Sequence, residues 1–178
     1  MVHHIPAVMT LSAEGEKRLG KLSAAVRELL ARTSTAASID RLKSEVRHMS
    51  GPFVWEAINL DGALTALLPA DIKSAWIFVL KNNTPSQSHY HPNSIQHMIV
   101  LEGEGTAHIG QRTTEMVRYD ERADPSAVWE VIDVSVAHEF FPRGQDMVVL
   151  SFHTCAAEEL LEIDATTGRQ RTYEEQAL

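Results

Sequence analysis

The strongest constraint on the fold is a change of hydrophobic rhythm at Gly51-Pro52. Before it, Leu19, Leu22, Val26, Leu29 and Leu30 recur at three- and four-residue steps, as do Ile39, Leu42, Val46 and Met49. That period lays an apolar stripe along one side of a helix. Thr10 or Ser12 is expected to cap the first helix, and Ser38 or Asp40 to start the second. A glycine just past the pattern, with proline beyond it, stops the second helix. From Phe53 onward the apolar runs shorten and are punctuated by turns. Runs at 53–60 and 63–68 flank Asp61-Gly62, which reads as a hairpin turn. Strand-like runs follow at 74–81, 87–91, 95–101, 104–109, 113–119, 127–134, 138–141 and 146–153. About ten short strands at this spacing predict an all-β sandwich or barrel. A jelly roll fits, since two packed sheets cover most strand edges and enclose a cavity.

With 178 residues and 44% hydrophobic content, the chain has enough material for one compact core. The expected division is a helical arm over 1–52, a β-barrel over 53–155 and a tail over 156–178 packing on the barrel or a dimer partner. A net charge of -8 without a basic stripe argues against nucleic acid as a partner. No apolar run is long enough to span a bilayer and no signal-peptide layout is present, so a membrane is not an expected partner either. Cys155 stands alone, which excludes an internal disulfide and fits a reducing cytoplasm. Lacking an activating neighbour, it reads as a small buried residue rather than a nucleophile. No phosphate loop, nucleophile elbow or CxxC zinc pair occurs.

Chemistry concentrates in His89-Tyr90-His91-Pro92-Asn93-Ser94-Ile95-Gln96 and the run after it to Gly103. In an extended chain side chains alternate faces, so His89 and His91 point the same way. Such a pair suits gripping a transition metal from one wall of a pocket. By the same alternation His97 faces away from Gln96, Met98 shares the Gln96 face, and Phe140 shares that of His138. Trp76 and Phe78 lie on one face of their strand and are expected, with Met98 and Phe140, to line a substrate pocket. His108 and His153 read as packed or edge histidines.

The stretch resembles the first motif of the cupin superfamily: histidine, one residue, histidine, a polar residue after four more, and a glycine closing the strand. His89, His91, Gln96 and Gly103 occupy those places, with Gln96 where the family carries glutamate. The second motif contributes one later histidine, matched by His138, with Gly144 and the run 148–152 continuing the pattern. The proline and glycine that usually precede that histidine are replaced by Asp133 and Ser135. The resemblance covers roughly residues 53–153 and implies a cupin-type double-stranded β-helix, a jelly-roll barrel, behind an N-terminal helical extension.

It also implies a metal-dependent enzyme acting on a small oxygenated organic molecule. His89, His91 and His138 would hold one divalent transition metal ion, with Gln96 as a weak oxygen ligand or acting from behind the ligands. Imidazole donors suit iron, zinc and nickel and tolerate manganese. Iron is preferred, because cupins with three histidines and no carboxylate include dioxygenases acting on diketones, thiols or hydroxylated aromatic ketones. Only neutral donors would leave the ion's double charge uncompensated. One alternative is a manganese, zinc or nickel isomerase or lyase, with Tyr90, Glu102 and Glu139 the nearby candidates for a base. Another is a ligand-binding or regulatory barrel whose arm contacts a partner. A homodimer, the commonest closed assembly, is expected.

Overall fold

A computed structural model describes residues 12–173. Helix α1 (Ala13–Leu30) starts where the Ser12 hydroxyl accepts the Gly15 amide. Glu14 and Glu16 sit in its first turn and Arg27 in its last, matching the helix dipole. Thr10, the other expected cap, lies outside the described residues. Helix α2 (Thr33–Val46) begins before Ser38 or Asp40, directly after a short break at Ala31 and Arg32. The two helices bury Leu19, Leu22, Val26, Leu29, Ile39, Leu42 and Val46 as the spacing predicts, whereas Leu30 and Met49 are exposed.

The remainder is a curled, antiparallel sheet. Its strands are β1 (Phe53–Ala57), β2 (Ser74–Leu80), β3 (His89–Tyr90), β4 (Gln96–Ile109), β5 (Arg112–Met116), β6 (Glu130–Ile132), β7 (His138–His153), β8 (Leu161–Asp164) and β9 (Gln170–Thr172). They run in the order β1-β2-β7-β3-β8-β9, and β4 bonds β5, β6 and β7. Strands β4 and β7 dominate, pairing from Gln96↔His153 at one end to Ile109↔His138 at the other. The expected breaks at Gly103 and Gly144 therefore interrupt neither strand. Register shifts around Glu102 bend the pair instead. Gly103 makes the bend possible: its φ is +84°, and a Cβ there would lie 2.7 Å from the Asp146 carbonyl oxygen.

The expected hairpin at Asp61-Gly62 is a helix start. Asp61 caps α3 (Gly62–Leu67) by accepting the Leu64 amide, so 63–68 is not a strand. A short apolar run cannot be divided between helix and strand by periodicity alone, and the cap decides it here. Similarly, the first part of 127–134 is the short helix α4 (Pro125–Val128), capped by Asp124 with proline in its first turn.

Alternation along β2, β4 and β7 sorts the core into two layers. Ile77, Val79, Ile99, Leu101, Leu150 and Phe152 point outward and pack with the helices. Trp76, Met98, Val100, Met147 and Val149 point inward with Phe53, Phe140 and Tyr173. No described helix is long and apolar enough to cross a membrane.

Candidate metal centre

The interior layer brings the motif histidines together. His89 in β3 lies directly opposite His138 at the start of β7, and their ring centroids are 4.3 Å apart. His91, just past β3, completes the group at 5.3 Å from His89 and 5.4 Å from His138. One ligand atom from each imidazole falls within 4.8 Å of the others. Ligands about 2.1 Å from one shared ion are separated by about 3 to 4 Å, so the cluster has the scale of a single ion.

Backbone carbonyls orient all three rings. The Nδ1 of His89 bonds the Gln87 oxygen at 3.0 Å, that of His91 the Leu161 oxygen at 2.9 Å, and that of His138 the Val136 oxygen at 2.9 Å. A carbonyl only accepts, so each Nδ1 carries the proton and each Nε2 keeps its lone pair. The turns supplying these oxygens are strained: Gln87 has φ 72° and Ser135, beside Val136, has φ 60°. Left-handed backbone is unfavourable for such residues and persists where the surroundings enforce it. Ser135 is held by donating its amide to the His91 carbonyl at 2.9 Å.

Burial keeps these imidazoles neutral. It pushes the His89 pKa down to about 3 and that of His138 well below the ordinary histidine value, with the neighbouring rings adding to both effects. His91 is lowered chiefly by burial as well. Neutral imidazole is the ligating form. Two buried polar atoms here, His138 Nε2 and Gln96 Oε1, have no hydrogen-bond partner. Such atoms are unfavourable in a closed interior, and a cation held between lone pairs satisfies them. The donor set therefore fits a divalent transition metal.

Gln96, first in β4, lines the same cavity, and its Nε2 lies 3.7 Å from the Met98 sulfur. The cavity is about 30 Å³ and is walled by Phe53, Phe78, Phe140, Val149 and Tyr173. Phe78 and Phe140 line this cavity. Met98 and Trp76 do not: Met98 is fully buried beside Gln96, and Trp76 packs behind Phe78 and Tyr173. The three candidate bases lie elsewhere. Glu102 pairs with Lys43, Glu139 sits opposite His108 on the face away from Phe140, and Tyr90 projects opposite His89 and His91.

Three further residues escaped the sequence reading. Glu162 in β8 is buried, and its Oε2 lies 3.7 Å from His89 Nε2. Arg171 in β9 and Tyr173 just beyond hold its two oxygens. The one available signal was a glutamate inside the apolar alternation of 160–163. His153 is fully buried between the hydroxyls of Ser94 and Ser151, at 3.1 and 2.9 Å, with its ring 5.2 Å from that of His91. His97 faces outward, where its Nε2 accepts from Arg18 at 3.0 Å. Exposed His108 stacks on Phe141, and Cys155 is buried, its thiol pKa raised by that burial.

A curled sheet bent about two long strands, with an inward His-x-His ahead of β4 and a third histidine opening β7, decides the architecture. It is a curled, barrel-like antiparallel sheet similar to cupin-type barrels. No family model matches the sequence, and no curated protein is significantly similar to it. Among solved structures, a cupin-2 domain protein from Rhodospirillum rubrum is similar with 14% identity and a TM-score of 0.45, over 68% of this chain and 66% of that one. An oxalate decarboxylase from Lactobacillus farciminis, in a formate complex, has 14% identity and a TM-score of 0.49, over 66% of this chain and 32% of that one. A salicylate 1,2-dioxygenase variant from Pseudoaminobacter salicylatoxidans has 13% identity and a TM-score of 0.48, over 66% and 33%. The chain spans about two thirds of the first protein and about a third of the other two.

Proposed function

We propose that this cupin is a mononuclear metalloenzyme that acts on a small oxygenated organic molecule, with iron-dependent dioxygenation as its reaction. The observation carrying the proposal is the set of three oriented, neutral imidazoles opening onto an aromatic-walled cavity. His89, His91 and His138 would hold the ion. Bound iron would supply open coordination positions and the redox chemistry that oxygen insertion requires.

The chain's own residues do the rest. Phe53, Phe78, Phe140 and Tyr173 give the small cavity beside the ion an apolar wall against which a small, partly apolar substrate would pack. The Gln96 carbonyl, which has no partner in the fold, offers an acceptor for a substrate hydroxyl or a further oxygen to the ion. Gln87 and Val136 hold the rings in one tautomer, so the ligand geometry is set before substrate arrives.

A second reading, non-redox isomerisation or elimination at manganese, zinc or nickel, is favoured by one observation. Glu162 and Tyr173 form a hydrogen-bonded carboxylate-phenol pair beside His89, groups able to move a proton on a polarised substrate. Metal analysis of protein purified without added metal separates the two. Stoichiometric iron with oxygen uptake on adding a diketone or catechol-like compound supports the dioxygenase. Manganese or zinc without oxygen uptake supports the second reading. No metal before or after reconstitution rejects both.

A further inference from the structure

Among the described residues Glu162 is the only Asp, Glu, Lys or Arg that is buried. Its position follows from the hairpin β8–β9, in which Glu162 and Arg171 are cross-strand partners. Arg171 Nε and Nη2 reach Oε1 at 2.7 and 2.6 Å, and the Tyr173 hydroxyl donates to Oε2. Arg171 also stacks over Phe53 and Trp55, while Tyr173 is wedged among Trp55, Trp76 and Phe78. The carboxylate is therefore clamped on the side facing the hairpin. On the other side its Oε2 faces His89 Nε2 at 3.7 Å.

That separation is too long for a hydrogen bond. Because His89 gives its Nδ1 proton to the Gln87 carbonyl, its Nε2 presents a lone pair toward the carboxylate. Two electron-rich atoms face each other; Arg171 offsets the carboxylate's charge at Oε1, while Oε2, bonded by the Tyr173 hydroxyl, still faces the His89 lone pair, a place suited to a cation nearby. Among the described residues only the three imidazoles gather within 4.8 Å of one another, so Glu162 flanks the ligand set rather than joining it.

We propose that Glu162, delivered by the C-terminal hairpin, is the charge-balancing carboxylate of the metal centre, held at its rim by Arg171 and Tyr173. This rests on the reading that His89, His91 and His138 hold a divalent ion. It revises the expectation of an uncompensated dication: a carboxylate absent at Gln96 enters from a strand far along the chain, its charge shared between the ion and Arg171. The hairpin also supplies the Leu161 carbonyl that orients His91, so one segment sets both the charge and part of the geometry.

The test is zinc(II) affinity of the full chain by competition with a chromophoric chelator, which needs no substrate. Glu162→Gln should weaken zinc binding about ten- to a hundredfold, the effect typical of groups that support metal ligands. Glu139→Gln, a half-buried carboxylate facing away, should leave it unchanged. Removing one member of a buried ion pair can unfold a protein, whereas removing both is often tolerated. If Glu162→Gln does not fold, Arg171→Gln is compared with Glu162→Gln/Arg171→Gln, and the double variant should bind zinc more weakly by the same factor. His138→Ala should lose zinc throughout. If His138→Ala loses zinc while the Glu162 variants match their parents, the role of Glu162 is overturned and the metal site stands. If His138→Ala binds like the wild type, both fall.

Discussion

Gln96 and His97 are adjacent, both buried and pointed to opposite faces of one sheet, yet they meet different surroundings. Outward, His97 meets α1: its Nε2 accepts from Arg18, whose guanidinium is chelated by Asp71 at 2.8 and 2.9 Å. Inward, the Gln96 oxygen and His138 Nε2 meet no partner. The outer face is a core completed by helices, with His97 Nδ1 left alone in it, whereas the inner face gathers three imidazoles around its unpartnered atoms. Burial alone does not distinguish a structural histidine from a ligand. Convergence does: His97 Nδ1 and His138 Nε2 are both buried without a partner, but among the described residues it is His138 that gathers with two other imidazoles within 4.8 Å.

The largest effect should follow deletion of an inner nitrogen. His138→Ala should abolish stoichiometric metal, whereas His97→Ala should retain it, measured by chelator competition; equal retention would erase the distinction between faces. Next comes the outer core. Phe152 is fully buried against Trp129 and the helices, so Phe152→Ala should lower unfolding free energy by about 3 to 5 kcal/mol. Denaturant titration reads that loss, and the metal affinity of the folded fraction should be unchanged.

Acid should act on both faces and metal on one. Burial lowers His89 to about 3 and His97 to about 4. An unfolded histidine titrates near 6.5. Between those values the unfolded chain binds more protons, so metal-free stability is full above about pH 6.5 and falls as pH drops toward 3. Zinc should shift the acid midpoint of the wild type downward but not that of His138→Ala, followed by far-ultraviolet dichroism. The smallest effect belongs to the half-exposed ion pair outside. Asp71→Asn should lower stability by less than about 1 kcal/mol and leave metal affinity alone.

Much of this contrast was legible in the sequence because alternation is local. The spacing His89-x-His91, the opposite faces of Gln96 and His97, and the stripe Leu22-Val26-Leu29 each follow from the period of one element. What was hidden depends on partners distant in the chain or on capping. Asp61-Gly62 resembled a turn until its carboxylate was seen to cap α3. Gly103 looked like a strand end, yet the approach of Asp146 and Met147 makes it a bend within β4. Glu162 reaches the centre only through the β3–β8 pairing, and no local pattern reports that register. Gln96 still marks the departure from the family motif. Its meaning changed once the carboxylate appeared on another strand.

The most direct test is elemental analysis of metal bound to the wild type, His97→Ala and His138→Ala after reconstitution and desalting. The account predicts one transition metal ion per chain in the first two and none in the third. No stoichiometric ion in the folded wild type, or the same content in His138→Ala, would contradict it.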